Sequence, residues 1–99
     1  MKRYRIILSD KAKQELRIID KYISDSLGAY WSNIVLKRIY KRIDELSYSP
    51  GLKTMPSHPD IHTAHARKYR ILYKVDDAKY QVEILHVISS KTDLRKVLG

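Results

Sequence analysis

Three histidines stand within eight residues, at positions 58, 62 and 65, and an arginine follows at position 70 on a stretch that alternates in polarity. Imidazole is the side chain whose unperturbed pKa, about 6.5, suits proton transfer near neutrality. A guanidinium donates two hydrogen bonds in a fixed fork that matches phosphate oxygens, which a lysine ammonium cannot copy. Such groups can cut RNA without a metal. Attack by the RNA's own 2′-hydroxyl needs a base for that hydroxyl, a cation beside the phosphorane and an acid for the leaving oxygen. Arg70 is the candidate cation, and the histidines are candidates for the proton transfers. The plainer reading makes Arg70 an exposed strand residue paired across a sheet with Glu83, and the histidines a solvated loop.

Other cations gather around Arg70 in sequence. Arg67 and Lys68 extend the positive patch, Lys74 follows four residues later on the same strand face, and Lys53 and Lys91 reach it from the flanking loop and tail. His62 and His65 are three apart, a spacing that on a helix would let them share a zinc ion. No cysteine is present and no further ligand stands at a recognised spacing, so no metal or cofactor is expected. His86 lies between Ile84 and Ile88, and reads as a buried, hydrogen-bonded histidine.

The elements that must position these groups are readable from periodicity. Tyr4 to Leu8 is β-branched and reads as a strand. Ser9 or Asp10 then caps a helix whose apolar positions Ala12, Leu16, Ile19, Ile23 and Leu27 lie along one stripe. Gly28 stops it, and a second stripe of Trp31, Val35, Ile39, Ile43 and Leu46 runs to Pro50-Gly51. The short turn between the two forces an antiparallel αα-hairpin. Leu52 to Ala66 has two prolines, three histidines and no clean period, so it reads as a loop or irregular segment. Tyr69 to Val75 alternates, Asp76 to Lys79 is a turn by composition, and Tyr80 to Ile88 is apolar on both faces, as in a central strand. The tail from Ser89 to Gly99 reads as a short helix or an edge strand. The expected class is α+β in a single domain, residues 1–99: an N-terminal strand, the hairpin, then antiparallel strands in a small sheet packed on it. With the tyrosine face of the Tyr69–Val75 strand against the hairpin, Arg70 and Lys74 project from the opposite face, which no helix is expected to cover.

Composition bounds the function. Ninety-nine residues bury only about two thirds of their unfolded surface, so a ligand site must be a surface groove. The formal net charge is +9, divided as +5 up to Pro50 and +4 beyond it, so the basic residues belong to the fold rather than to a tail. Such a surface captures polyanions: RNA, DNA or an acidic protein. On the second helix Lys37, Arg38, Lys41 and Arg42 form two i,i+4 basic pairs that read as a solvated flank or as a contact for such a partner. The absence of cysteine excludes a disulfide framework and a thiol nucleophile. No apolar run approaches the length of a membrane span or a signal peptide, and a cytoplasmic protein is expected.

The order of elements, with Tyr69-Arg70-Ile71-Leu72-Tyr73-Lys74-Val75-Asp76-Asp77 and then Val82-Glu83-Ile84-Leu85-His86-Val87-Ile88, resembles the RelE/ParE superfamily of toxins from bacterial type II toxin–antitoxin modules. The resemblance covers nearly the whole chain. It implies a toxin silenced by a cognate acidic antitoxin, with either of two targets. RelE-like members cleave mRNA on the ribosome, and ParE-like members poison DNA gyrase. The long hairpin from Asp10 to Ser49, and the ending from His86 to Leu94, resemble the ParE-like branch. Arg70 matches the catalytic arginine of RelE-like nucleases, which binds the scissile phosphate. The loop resembles that of the YafQ branch, in which histidines transfer protons, with His58-Pro59 as the closest local match. RelE-like enzymes commonly carry a Tyr or His acid near the C-terminus, and nothing after His86 here is aromatic or imidazole. The expectation is an mRNA-cleaving toxin with Arg70 on the phosphate and His58 or His65 in proton transfer. The alternatives are a gyrase inhibitor without nuclease activity and a plain nucleic-acid-binding module of the same fold.

Overall fold

Ser9 is extended, and its hydroxyl accepts a hydrogen bond from the Ala12 amide at 3.0 Å, supplying the acceptor that the first turn of a helix lacks. A computed structural model describes residues 3–51 and 53–99, so the expectation for Leu52 falls outside the described residues. Strand β1 (Arg5–Leu8) leads through Ser9 into α1 (Asp10–Leu27). Gly28 alone joins α1 to α2 (Ala29–Tyr48), at φ +95°, a backbone conformation that an L side chain rarely adopts. Its amide donates to the Ser24 carbonyl, and its carbonyl accepts from Ser32. The buried Ser32 hydroxyl also binds Asp20, which ties the two helices together.

Four strands follow: β2 (Thr54–Met55), β3 (His58–Ala66), β4 (Tyr69–Asp76) and β5 (Gln81–Ser89), then the short helix α3 (Leu94–Leu98). They form one five-stranded sheet in the order β1-β5-β4-β3-β2. The β1–β5 pair is parallel and the other pairs are antiparallel.

The main core lies between the hairpin and one sheet face. Ala12, Leu16, Ile19, Ile23, Ile39, Ile43 and Leu46 meet Ile71, Tyr73, Val82, Ile84 and Val87 there. The apolar stretch of β5 has a further cause beyond its central position. A register shift against β4 leaves Leu85 unmatched, so inward positions pass from Val82 and Ile84 to Val87. One extra residue reverses the strand's parity.

Two expectations are corrected. The Leu52–Ala66 stretch is not irregular, because nearly all of it from Thr54 onward is strand. Pro59 sits second in β3, and the inward residues Ala64 and Ala66 are small, so neither alternation nor β-propensity showed. Nor is the far face of the sheet free of helix. Leu94, Val97 and Leu98 of α3 pack on a second cluster of Met55, Ile61, Leu72 and Ile88. Among the described residues, no helix is long and apolar enough to cross a membrane.

Candidate nucleic-acid interface

The existence of β3 decides what stands beside Arg70. In the β3–β4 register His65 is directly opposite Arg70, and Thr63 is opposite Leu72. On the other side Arg70 faces Ile88 of β5. Alternation puts Thr63, His65, Arg70 and Leu72 on one sheet face and Ala64, Ala66, Ile71 and Tyr73 on the other. The burial of the second set in the main core agrees with this. Arg70 therefore projects from the face opposite the hairpin, between His65 and Ile88, the latter part of the cluster on which α3 packs.

Arg70 is half-buried, its Nε has no hydrogen-bond partner, and among the described residues it forms no ion pair. Glu83 is not its cross-strand neighbour, since Glu83 faces Lys74. His65 is exposed at its rim, yet partial burial of the ring holds its pKa below the ordinary imidazole value. The cations of Arg70, Lys53 and Arg42 act in the same direction. Lys53 follows the backbone closely here, its carbonyl accepting from the Thr63 amide at 3.4 Å.

The other candidate residues divide between the two ends of the sheet. Arg67 and Lys68 form the β3–β4 turn, with Arg67 at φ +55°. The Lys68 carbonyl accepts from both the amide and the hydroxyl of Ser90, each at 2.8 Å, which brings the tail at Lys91 to the same end as Arg70. His58 lies elsewhere. It is seven residues before His65 on the same strand, roughly 23 Å away at about 3.3 Å per residue, with Nδ1 at 3.0 Å from the Ser57 hydroxyl. Lys74 is also remote and is engaged with Asp60 at 3.3 Å. That ammonium, after a hydrogen bond from the backbone of Asp60 itself, holds the Asp60 carboxyl below its usual pKa. Arg70 and His65 are thus together, with Lys53, Arg67, Lys68 and Lys91 around them, while His58 and Lys74 are not part of the group. His62 stacks on Tyr73 with ring centroids 5.3 Å apart, facing away from His65. Among the described residues no group of His, Asp or Glu is arranged to hold a metal ion.

A second surface lies across the sheet. The tip of the hairpin overhangs the β3–β4 turn and leaves Tyr22, Leu27 and Trp31 exposed at 69%, 66% and 52%. They line a cavity of about 420 Å³ that Arg38, Arg67 and Lys68 border with positive charge. Through Tyr22 and Tyr69 it continues into a hollow of about 440 Å³ between α1 and β5. The result is a long apolar groove with a cationic rim.

Glu15 was not among the sequence candidates. Its carboxylate accepts from the Val87 amide at 3.1 Å and meets His86 Nδ1 at 3.2 Å, both side chains being largely buried. A usable signal was present, since Glu15 falls three residues after Ala12 and four before Ile19, on the helix stripe that faces the core.

Residues 6–94 match the family described as the ParE toxin of the type II toxin–antitoxin system, parDE. No curated protein matches the sequence. Among solved structures, a chain of the chromosomal ParDE system from P. aeruginosa is similar at a TM-score of 0.74 and 14% identity, covering 87% of this chain and 95% of that one. A chain of the RelBE2 toxin–antitoxin complex from Mycobacterium tuberculosis gives 0.65 and 21%, covering 93% and 97%. A chain of the intact E. coli RelBE complex gives 0.63 and 22%, covering 90% and 99%. At these identities the structural likeness speaks to the fold alone.

Proposed function

The chain belongs to the ParE toxin family of type II toxin–antitoxin systems, and from that premise we propose that it inhibits growth by cutting mRNA at the Arg70 end of its sheet, without a metal. The observation that carries this reading is the direct cross-strand pairing of His65 with an Arg70 whose guanidinium is uncommitted. The arginine fork binds the scissile phosphate and stabilises the charge that grows on it, while His65, neutral at physiological pH, takes the proton of the attacking 2′-hydroxyl. The 2′-oxygen bonds to phosphorus, the bond to the 5′-oxygen breaks to leave a 2′,3′-cyclic phosphate, and the 5′-oxygen takes its proton from water. Lys53, Arg67, Lys68 and Lys91 draw in the flanking phosphates.

The family description favours a second reading, inhibition of DNA gyrase with no nuclease activity. Its helices of 18 and 20 residues give it the long hairpin that goes with that branch. Induction in cells, with mRNA ends mapped and a DNA-damage reporter followed in the same culture, separates the two. New mRNA ends with a silent reporter support cleavage. An active reporter with unchanged mRNA supports gyrase.

If His65 is the base, the pH profile has a defined sign. With the His65 pKa lowered from the ordinary imidazole value, cleavage should rise from acid pH and level off by neutrality, earlier than for an unperturbed imidazole. A rate that climbs steadily through pH 7 to 8 would remove His65 from the role.

The partner reading follows from the groove across the sheet. Among proteins of this fold, the intact E. coli RelBE toxin–antitoxin complex was crystallised, and a double mutant of E. coli RelE is known in complex with an antitoxin peptide. An extended acidic antitoxin segment with apolar anchors fits the Tyr22–Leu27–Trp31 groove and its Arg38, Arg67 and Lys68 rim. Apolar anchors supply most of the affinity, and charge sets the encounter rate. Raising salt should therefore slow association of the purified pair markedly and change dissociation little. An off-rate that rises as steeply as the on-rate falls would place the antitoxin elsewhere.

A further inference from the structure

The groove across the sheet changes sign along its length. Arg38, Arg67 and Lys68 border it at the hairpin tip, whereas among the described residues that line its continuation between α1 and β5 the one charged side chain is Glu15. Tyr22 and Tyr69 line both parts, so a single bound chain can pass over both. The Glu15 side chain keeps 13% of its surface open and lines the hollow, so a ligand can reach it. Its carboxylate is held from the protein side. The Val87 amide and His86 Nδ1 meet Oε1 at 3.1 and 3.3 Å, and Oε2 has only His86, at 3.2 Å. A carboxylate offers about four acceptor positions, so capacity remains on the open side. Among the described residues no lysine or arginine pairs with Glu15, although the chain carries a net charge of +9. A carboxylate in an apolar hollow, without a full cationic partner, favours a cation brought from outside.

We propose that Glu15 reads a basic side chain, lysine or arginine, of the antitoxin segment, whose ammonium or guanidinium donates to Oε2 from the open side of the hollow. The contact rests on the groove reading above and adds to it an order of charges along the partner. Glu15 and Leu27 are about three turns apart on α1, roughly 18 Å. An extended segment covers that distance in about five residues. The partner therefore carries its acidic residues near the apolar anchors that meet Leu27 and Trp31, and its basic residue about five positions away from them. This order is a specificity device. A surface of net charge +9 captures acidic segments of many sequences, while a carboxylate at one fixed place admits a cation and repels an acidic residue there.

The test uses a phage-displayed library of random peptides of about 12 residues, which span roughly 40 Å when extended, selected on the immobilised protein. Recovered binders should share one lysine or arginine at a fixed spacing from an apolar anchor, with acidic residues on the anchor's side. A synthetic peptide of that consensus should bind Trp31→Ala at least about tenfold more weakly than the wild type. Exchanging its basic residue for methionine should weaken binding to the wild type about tenfold and leave binding to Glu15→Gln unchanged. Glu15→Gln keeps an acceptor for the Val87 amide, so the fold survives the substitution. The coupling between Glu15 and the peptide's cation should persist at high salt, where the contribution of the exposed rim is screened.

Binders with no fixed basic position overturn the Glu15 contact, as does a methionine peptide that binds the wild type as tightly as its parent. Equal weakening on the wild type and on Glu15→Gln overturns it too, because the basic residue then meets another group. In each of these cases the groove reading survives wherever Trp31→Ala still loses the peptide. A library that yields no binder, or binders indifferent to both Trp31→Ala and Glu15→Gln, overturns the groove reading and the contact together. Coupling to Glu15 without dependence on Trp31 keeps the contact and removes the hairpin tip as an anchor.

Discussion

Arg70→Ala is expected to lower RNA cleavage by about 10²–10³-fold and to abolish growth arrest, while the protein stays folded. The magnitude is that of removing one preorganised donor from a developing oxyanion. Stability should hold to within about 1 kcal/mol because, among the described residues, the guanidinium forms no ion pair and its Nε has no hydrogen-bond partner, so the substitution loses only the packing of a half-buried stem. Arg70→Lys keeps the charge but not the fork, and should recover only a small part of the rate. Lys79→Ala, in the exposed turn between β4 and β5, makes the same change in net charge and should leave cleavage within about twofold, because it lies at the far end of the sheet. A second signature comes from His65. Arg70 is one of the cations that depress its pKa, so the imidazole of the Arg70→Ala protein should titrate closer to 6.5 in a proton NMR series. Cleavage that survives Arg70→Ala within tenfold removes Arg70 from the phosphate. Full growth arrest without cleavage transfers the toxicity to the gyrase reading.

The helices were legible because each carries a stripe at 3.6-residue spacing, and the stripe is buried wherever the sheet lies beneath it. Ala12, Leu16, Ile19 and Ile23 are in the core, but Leu27 at the end of the same stripe is 66% exposed. Trp31, first in the stripe of α2, is likewise half open. Periodicity reports which side of a helix is apolar, not how far the surface that covers it extends. Here the tip of the hairpin overhangs the sheet, and those same residues become the groove. Strand β3 was illegible for a different reason. Its inward residues include Ala64 and Ala66, whose small side chains give little alternation in hydropathy, and its histidines and Pro59 read as loop. Losing that strand also hid every cross-strand relation that depends on it. Arg70 could be singled out from its own strand. That its neighbour is His65 rather than His58 is information held in the register.

The second large effect is expected at Glu15, which holds the opposite side of the same strand pair. Strand β1 ends at Leu8, opposite Ile84, while β5 continues to Ser89, so the outer backbone groups of β5 beyond Ile84 have no strand to bond. Helix α1 serves instead. Ser9 donates through its amide to the Ile84 carbonyl and through its hydroxyl to the Leu85 carbonyl, both at 2.9 Å, and the Glu15 carboxylate takes the Val87 amide and His86. Glu15→Ala strands a buried amide and a largely buried imidazole together, which should cost about 3 kcal/mol and lower the melting temperature by roughly 10–25 °C. That is a large share of the stability of a domain this size. Glu15→Gln keeps an oxygen for the Val87 amide and should lose only about 1 kcal/mol. A double-mutant cycle with His86→Ala then separates the imidazole from the amide, the coupling energy being the part that belongs to the pair. Hydrogen exchange at the Val87 amide should accelerate in Glu15→Ala. Because Val87 and Ile88 face Ile71 and Arg70 across the β4–β5 ladder, loosening there should also reach the Arg70 end of the sheet. Native-like melting and exchange in Glu15→Ala would mean that water replaces the carboxylate without cost, and that α1 does not hold the end of β5.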